Sequence, residues 1–406
     1  MAGRPLAFSE KTLFGHLENP LSAGPGTGNG HLRLRPDRFA LQDATGQMAL
    51  LQFMLSGKNR ISLPGTIHCD HLIKARKCAS DDLERALEDN REVYDFLKAA
   101  AMKFGMAFWE PGSGIIHQVL LENYAFPGGM MIAADSHAPN AGGLGMFASG
   151  AGGSDIAEVM AGAPWEIPRP SIIGVRLTGK LSGWSSPKDV ILRLLEILKV
   201  DGGTNRVIEY FGEGAGSISC TGKATIANMG AELGATSSVF PFDDRMSRYL
   251  RANGRIEAAD LAEKNIDLLT ADEEILDDPE RYLSQVVEID LSSLSPRIAG
   301  PHSPDLVREL SGLRAARTGS FPSGLSACLI GSCADSSYED MSRAAEVLKS
   351  ALSKGLKLRS PLFVSPGSER VRKTLERDGI MEIFVSSGAT VLPCSCGPCI
   401  GQWERL

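Results

Sequence analysis

The sequence predicts an α/β fold with largely parallel sheets. Short apolar and β-branched runs that end at a glycine or a small polar residue alternate with stretches whose apolar residues recur at helical spacing. Strands and helices that alternate in this way form parallel sheets, because each helix carries the chain back for the next strand. The chain has 406 residues, 43% hydrophobic and 22% charged, which is an ordinary balance for two or three globular domains.

Capping signals as well as spacing predict the helices. Ser80 opens an amphipathic pattern with acidic residues in its first turn, and Gly105 ends it. Pro187 stands at the first position of another helix, where its missing N–H costs nothing. Predicted helices are 80–105, one opening at 186–187, 337–355 and 369–379, and predicted strands are 130–134, 172–177, 327–331, 362–365 and 389–392.

Proline-rich and serine-rich stretches predict the domain boundaries. Pro168 and Pro170 separate a helix pattern from a strand pattern, and the stretch 292–320 is rich in Ser, Pro and Gly. We therefore expect three segments, 1–170, 171–292 and 293–406.

Charge and hydropathy exclude several classes of function. The chain has 42 basic and 49 acidic residues, a net charge of −7, which argues against nucleic-acid binding and against a polybasic membrane surface. No apolar run reaches the ~18–20 residues of a membrane helix. The N-terminus has neither a signal-peptide core nor an evident transit peptide, so a soluble chain is expected.

Three of the eight cysteines follow predicted parallel strands. Cys333 follows the strand 327–331, whereas Cys396 and Cys399 follow the strand 389–392. The carboxyl ends of parallel strands lie at one edge of a sheet, so the three thiols are expected to converge. Three chemistries fit them: a Cys-Gly-Pro-Cys dithiol, a zinc site completed by Cys394 or His302, or an iron–sulfur cluster with one open iron.

Two histidines have an acidic neighbour in the sequence. Asp70 precedes His71, and Asp135 lies two residues before His137, directly after a predicted strand. A carboxylate can fix the tautomer of an imidazole and make it a proton donor. We interpret the other histidines at 16, 31 and 302 as structural or surface residues, and the glycine-rich stretch 142–153 as a turn before a helix start at Ser154.

Signature sequences relate the chain to a known family. Ala-Asp-Ser-His-Ala-Pro-Asn-Ala-Gly-Gly-Leu-Gly at 134–145, Gly-Ser-Cys-Ala-Asp-Ser-Ser-Tyr-Glu-Asp at 331–340 and Cys-Gly-Pro-Cys-Ile-Gly-Gln-Trp at 396–403 resemble the motifs of the aconitase family, in its mitochondrial type. The stretches 34–38, 42–45, 66–72, 111–117 and 217–222 extend the resemblance over essentially the whole chain.

The resemblance implies a fold, a cofactor and a reaction. The fold would comprise two three-layer parallel-sheet domains and an incomplete third. The reaction would be the reversible dehydration of a hydroxy polycarboxylic acid at a [4Fe-4S] cluster, by default citrate and isocitrate through cis-aconitate. By this resemblance, the cluster ligands would be Cys333, Cys396 and Cys399, and Asn228 would support the cluster. His71, oriented by Asp70, would donate a proton, and Gln42 and Ser136 would bind a substrate carboxylate. The hydrogen-bonded shell around water at the open iron would consist of Asp135, His137, His117 and Glu232.

The chain departs from the family pattern in ways that bear on activity. In the family the base is a serine of a C-terminal swivelling domain, and several substrate-binding arginines lie beyond the second cysteine of the pair. These groups have no counterpart here, so we expect a truncated member, or a large subunit whose partner small subunit carries the swivelling domain. Ala138 and Ala334-Asp335 stand where the family usually has Thr and Thr-Asn.

Alternatives remain for substrate and compartment. The chain could instead isomerise 2-substituted malates during amino-acid side-chain elongation in secondary metabolism, or be an inactive truncated paralogue. The family type indicates a mitochondrial location, while the lack of a presequence is compatible with the cytoplasm.

Overall fold

The structure, a computed structural model of the chain, describes residues 3–19, 30–313 and 324–404. Part of the predicted boundary stretch 292–320 therefore lies outside the described residues. No helix in the described part of the chain has the length and apolar character needed to cross a membrane.

Helices and strands alternate along most of the described chain. The α-helices are α1 (Phe8–Gly15), α2 (Gly46–Leu55), α3 (Ala79–Asp89), α4 (Arg91–Phe104), α5 (Ile116–Asn123), α6 (Gly153–Met160), α7 (Pro187–Leu198), α8 (Glu213–Ser217), α9 (Cys220–Asn228), α10 (Asp244–Ala252), α11 (Ile256–Lys264), α12 (Glu273–Asp277), α13 (Pro279–Tyr282), α14 (Tyr338–Ser353), α15 (Glu369–Arg377) and α16 (Ile380–Ser386). Short 3₁₀-helices occur at Ala138–Leu144, Met229–Leu233, Ile266–Leu268 and Gly397–Ile400.

The strands are short, and most of them pair in parallel. They are β1 (His31–Leu34), β2 (Arg38–Gln42), β3 (Gly65–His68), β4 (Ala107–Trp109), β5 (Met130–Ala133), β6 (Phe147–Gly150), β7 (Trp165–Pro168), β8 (Ser171–Thr178), β9 (Arg206–Phe211), β10 (Ser237–Val239), β11 (Gln285–Asp290), β12 (Arg297–Ala299), β13 (Val307–Glu309), β14 (Cys328–Ile330), β15 (Leu362–Val364) and β16 (Thr390–Val391).

The chain divides into two compact units. The first comprises Met1–Phe39 and Leu121–Phe321, and the second comprises Ala40–Leu120 and Pro322–Leu406. The chain passes from the first unit to the second within β2. The three consecutive segments expected from the sequence stay a prediction.

The first unit is built around a four-stranded parallel sheet. Its strand order is β10-β9-β8-β11, and each neighbouring pair is parallel. β5 and β6 form a further parallel pair, whereas β1 and β7 are antiparallel. In the core, the buried rings of Tyr210 and Phe240 stack with their centroids 4.3 Å apart.

A buried carboxylate holds α1 in the first unit. Glu209 on β9 accepts hydrogen bonds from the backbone N–H groups of Phe8 at 3.0 Å and Ser9 at 2.8 Å. These two donors belong to the first turn of α1, where N–H groups have no partner within the helix. The carboxylate also interacts favourably with the positive end of the helix dipole, so α1 is held against the sheet.

The second unit contains the three-stranded parallel sheet β14-β15-β16. Met341 of α14, Leu375 of α15 and Phe384 of α16 pack with Val364 of β15 in one hydrophobic core. β3 and β4 form a second parallel pair in this unit. The cysteine-bearing loops follow β14 and β16, so both emerge at the carboxyl end of the same parallel sheet.

The α/β prediction with parallel sheets is confirmed, and so are most of the predicted elements. The five predicted strands correspond to β5, β8, β14, β15 and β16, with ends that differ by at most a residue or two. Ser186 and Ser337 immediately precede α7 and α14, and each forms a capping box with the third helical residue. Gly105 ends α4 with a φ of 84°, as expected for a glycine cap.

Two predictions of local structure were wrong. The helix expected over 80–105 is divided at Asn90, whose φ of −113° and ψ of 20° are not helical, into α3 and α4. The stretch 142–153 is not simply a turn, because Phe147–Gly150 forms β6. Gly142 and Gly143 lie in the 3₁₀-helix before it and permit close packing: a Cβ atom at Gly142 would lie 1.8 Å from the carbonyl oxygen of Ser238.

Candidate active site

Asp70 organises the candidate site in the second unit. It lies two residues beyond the end of β3, and its side chain is completely buried. One carboxylate oxygen is 2.8 Å from His71 Nδ1, and the other accepts the N–H of Ile116, the first residue of α5, at 2.9 Å. A helix N-terminus favours a negative charge nearby, so the Asp70 carboxylate is a hydrogen-bond acceptor held in a fixed direction. The imidazole of His71 is oriented in turn.

A second carboxylate, Asp43, supports the same loop. It follows β2 directly, and its two oxygens accept the N–H groups of His71 at 2.8 Å and Leu72 at 3.2 Å. Burial, followed by the nearby charge of Asp70, raises the pKa of Asp43 to about 7, against the opposing effect of the His71 N–H group. Asp43 therefore fixes the backbone of the loop that carries the imidazole.

Three cysteines converge in this unit as the sequence predicted. The pKa of the Cys396 thiol is raised first by its hydrogen bond with Cys399 and by burial, and then by the neighbouring Asp70 and Cys333. The backbone N–H of Cys396 donates to the carbonyl oxygen of Asp70 at 3.0 Å. The thiols and the Asp70–His71 pair therefore belong to one cluster of side chains.

Gln118 holds the loop of the third cysteine. Its side-chain amide donates to the backbone carbonyl of Cys333 at 2.9 Å, and Gln118 is itself buried. Since Gln118 lies on the same helix as Ile116, α5 fixes both the carboxylate of Asp70 and the loop that follows β14.

The donor set fits an iron–sulfur cluster. Thiolates are the ligands that these clusters require. In the described part of the chain, the three metal-ligating side chains whose ligand atoms all lie within 4.8 Å of one another are Asp43, Asp70 and His71, and the cysteines are not among them. A structural zinc site takes four ligands, whereas three thiolates suit a cluster that keeps one iron open.

The other two chemistries considered for the cysteines are less well supported. A reactive dithiol usually has a helix directly after its first cysteine, whereas only the short 3₁₀-helix Gly397–Ile400 follows Cys396. Cys394, a candidate fourth zinc ligand, lines a cavity of about 520 Å³ together with Arg372.

Gln42 and His117 are also placed in the second unit. Gln42 is the last residue of β2, and its side-chain oxygen accepts the N–H groups of Ala44 at 2.5 Å and Thr45 at 3.1 Å. His117 is the second residue of α5 and is buried. Gln42 thus adjoins Asp43, and His117 adjoins the N–H group that Asp70 accepts.

A different arrangement of acid and imidazole occupies the first unit. His137 Nε2 is 3.3 Å from Glu232, 95 residues away, whereas His137 Nδ1 is 3.9 Å from Asp135. Asp135 instead accepts the backbone N–H of His137 at 2.9 Å. The hydrogen bond from His137 lowers the pKa of Glu232, against the opposing effect of burial. The closest carboxylate to this imidazole is therefore distant in sequence.

Ser136 and Asn228 lie in the first unit as well. The hydroxyl of Ser136 is 3.4 Å from His137 Nδ1. Asn228 ends α9, and its amide donates to the side-chain oxygen of Asn140 at 3.3 Å, with both residues buried. The close packing at Gly143, where a Cβ atom would lie 2.2 Å from the backbone nitrogen of Ala224, brings the 3₁₀-helix of Asn140 against α9.

The predicted site residues thus form two groups. The second unit holds Gln42, Asp70, His71, His117, Cys333, Cys396 and Cys399, and the first unit holds Asp135, Ser136, His137, Asn228 and Glu232. Sequence reasoning missed Asp43, Gln118 and Asn140. Asp43 had a usable signal, because it follows a buried strand directly and adjoins Gln42, whereas Gln118 acts only on a backbone group.

The sequence is similar to known proteins over nearly its full length. Residues 13–406 match the model of the aconitase family (aconitate hydratase). The mitochondrial aconitate hydratases of Schizosaccharomyces pombe and Gracilaria gracilis are 54% and 55% identical over 403 residues, which cover 99% of this chain and 50% and 51% of theirs. That of Saccharomyces cerevisiae is 53% identical over 404 residues, with 99% and 51% covered.

A solved structure also matches. Aconitase X of Thermococcus kodakaraensis in its holo form is 15% identical, with a TM-score of 0.48, and the match covers 90% of this chain and 79% of that one. The chain spans about half the length of the curated relatives it matches.

Proposed function

The chain belongs to the aconitase family, and from that premise we propose that it forms the cluster-binding part of a hydro-lyase site for citrate and isocitrate. The observation that carries the proposal is the environment of Asp70. This one buried residue orients the His71 imidazole through its carboxylate and binds the N–H of Cys396 through its carbonyl oxygen. A proton donor and a set of thiols are thereby held together.

Cys333, Cys396 and Cys399 would hold a [4Fe-4S] cluster. When bound, the cluster would supply a Lewis acid for the hydroxyl and a carboxylate of the substrate.

His71 would deliver a proton to the departing hydroxyl group. Its Nδ1 position is paired with Asp70 at 2.8 Å, which leaves Nε2 to carry the transferable proton of the imidazolium. The buried carboxylate stabilises that imidazolium and keeps the ring in one orientation. In the reverse direction, hydration, the same nitrogen would take the proton back.

The residues of the first unit would act on water and on substrate carboxylates. The Glu232–His137 pair presents a polarised imidazole, and Asp135 fixes the backbone of the same loop. The family resemblance also assigns His117 to the hydrogen-bonded shell around water. In the proposal Gln42 and Ser136 bind a substrate carboxylate, while Asn228 supports the cluster.

Turnover also needs groups that the family resemblance assigns to the other half of the relatives' length. These are the seryl base that removes the carbon-bound proton and the arginines that bind the distal carboxylates. The proposal therefore includes a swivelling domain, supplied by a further segment or by a small subunit. Since the relatives are named mitochondrial enzymes, it also includes a mitochondrial location.

Cluster binding can be tested independently of turnover. The 406-residue chain is reconstituted anaerobically with iron and sulfide, and iron, acid-labile sulfide and the electron paramagnetic resonance spectrum are measured. We expect Cys396→Ser to lose the cluster, whereas Cys394→Ser, two residues away and outside the proposed ligand set, keeps it. Equal loading of both variants, or no cluster in the unmodified chain, would contradict the proposal.

Activity is then measured on the loaded protein. The hydration of cis-aconitate is followed by its ultraviolet absorbance, with and without a polypeptide that carries the family's swivelling domain. We expect turnover with the added polypeptide, its loss in His71→Gln and its retention in His31→Gln. Turnover of a 2-substituted malate but not of cis-aconitate would replace the proposed substrate, and a loaded but inactive complex would indicate an inactive paralogue.

A further inference from the structure

The first unit contains a cavity that the hydro-lyase proposal does not use. Its volume is about 610 Å³, within the range of ~300–1,000 Å³ that small-molecule sites usually have. Its walls come from α1, the loop 126–128, α11 and the 3₁₀-helix Ile266–Leu268. The walls combine apolar side chains with the basic groups of Lys11, His16 and Arg255 and the carboxylate of Asp37.

Arg255 is the basic group with spare binding capacity. It lines the cavity just before α11 and donates one hydrogen bond to the carbonyl oxygen of Ala125. In the described residues, no carboxylate lies within ion-pair distance of its guanidinium group. By contrast, Lys11 in the same cavity is paired with Asp272 at 2.7 Å, and His16 with Asp37 at 2.9 Å.

A second arginine adds to the positive charge around Arg255. The pKa of Arg255 is lowered by burial and further by the charge of Arg38, against an opposing effect of Tyr249. Arg38 stacks on the Tyr124 ring at 4.5 Å, and its buried Nε has no hydrogen-bond partner. An anion at Arg255 would relieve this repulsion and would satisfy N–H groups that have no acidic partner now.

The rest of the lining suits an apolar body. Leu261 on α11 and Leu268 are each 65% exposed, although both lie at the edge of the cavity beside Phe126 and the buried Leu269. Exposed leucines that meet at the rim of a cavity are a common mark of a binding site. A ligand that covered them would gain the hydrophobic free energy that the isolated chain leaves unused.

We propose that this cavity binds a small amphipathic anion, an organic carboxylate whose headgroup pairs with Arg255 and whose apolar body lies against Leu261 and Leu268. A tricarboxylic hydroxy acid lacks the apolar body, so the cavity is a separate site and the inference does not depend on the proposed activity.

Octanoate is a suitable probe, and octanamide is its uncharged counterpart. Isothermal titration calorimetry on the full chain should show saturable octanoate binding, with a Kd of about 1 mM or tighter. Because a hydrogen bond to a charged group is lost, Arg255→Gln should weaken octanoate binding about tenfold or more. Octanamide binding should not change. Arg248→Gln removes the same charge from an exposed position on α10 and serves as the matched control.

A second variant tests the apolar half of the site. Leu268 is mostly exposed, so Leu268→Ser should leave the melting temperature nearly unchanged. It should weaken octanoate and octanamide alike, by about threefold to tenfold. No saturable octanoate binding to the unmodified chain would overturn the proposal, as would equal affinities of Arg255→Gln, Leu268→Ser and the Arg248→Gln control for octanoate.

Discussion

The two acid–imidazole pairs of this protein differ in how they are held. The Asp70–His71 pair is 2.8 Å long, and its side chains are 0% and 9% exposed. The His137–Glu232 pair is 3.3 Å long, with side chains 29% and 37% exposed. In the first pair, one oxygen of Asp70 accepts the backbone N–H of Ile116, and Asp43 accepts the backbone N–H of His71. The second pair joins two side chains that are 95 residues apart.

The two pairs differ in how freely their charged groups can move. A buried carboxylate with a fixed direction interacts strongly with its imidazole, because little water screens the pair. A half-exposed pair is screened and can reorient when a ligand arrives. This difference is consistent with the proposal, in which the pair with fixed geometry delivers a proton and the pair with adjustable geometry binds water or a carboxylate.

The largest expected effect comes from removing the charge of Asp70. Asp70→Asn keeps the backbone carbonyl that binds Cys396, so the variant should load the proposed cluster as well as the unmodified chain does. It should lower turnover about 100-fold to 10,000-fold, because His71 loses the anion that orients and stabilises its imidazolium. The measurement compares kcat between variants that contain the same amount of iron, and Asp81→Asn, at an exposed position, is the control. An unchanged kcat would contradict the proposal that the buried Asp70–His71 pair, rather than the half-exposed pair, delivers the proton.

A smaller effect, on stability, is expected at Asp43. Its pKa of about 7 lies above the usual value of ~3.9, so the folded chain keeps a proton that the unfolded chain releases as the pH rises. The free energy of unfolding of the unmodified chain should therefore fall as the pH rises from about 4 to about 7. Asp43→Asn cannot titrate at this position and is the reference. Relative to it, the fall should be about 1.4 kcal/mol for each unit of difference between the folded and unfolded pKa.

Urea unfolding of both proteins across that pH range makes the measurement. Asp43→Asn also loses the hydrogen bond to the N–H of Leu72, which should change its free energy of unfolding by the same amount at every pH. Only the part of the difference that varies with pH tests the prediction. A difference that stays constant or grows with pH would contradict the buried environment assigned to Asp43.

The smallest effect is expected at Glu232, with the opposite dependence on pH. Because its pKa is lowered in the folded state, the pair with His137 stabilises the protein above the usual glutamate pKa and loses this contribution as the pH falls through the lowered value. Glu232→Gln should cost less than about 1 kcal/mol at neutral pH, since the pair is half-exposed. Thermal unfolding should show the two proteins converging in acid, whereas a larger loss in acid than at neutral pH would show that the pair is not what stabilises this loop.

The helices and strands that the sequence predicted correctly have local signals. Ser186 and Ser337 open their helices with a hydroxyl and a nearby aspartate, and each is within three residues of its partner. The break at Asn90 could not be predicted in this way. Its side-chain amide donates to the carbonyl oxygens of Leu72 at 3.3 Å and Ala86 at 3.2 Å, and the first of these contacts is tertiary.

The residues of the candidate site also divide into those with a local sequence signal and those held by tertiary contacts. The Asp70–His71 pair is adjacent in sequence and was visible there, whereas Glu232 was associated with His137 only through the family resemblance. Asp43 and Gln118 both act on backbone groups, and a backbone contact leaves no trace in the residue type at its other end. The position of Asp43 directly after β2 was the one signal that could have found it.

The contact between Asp70 and Cys396 has a consequence for the order of events during synthesis. Roughly 330 residues separate the two, so at about 5–20 residues per second a ribosome needs about 15–65 s between them. For that time Asp70 and Cys69 are already made, but the paired thiols do not yet exist. The contacts that join the Asp70 loop to the paired thiols can therefore form only after Cys396 has been made.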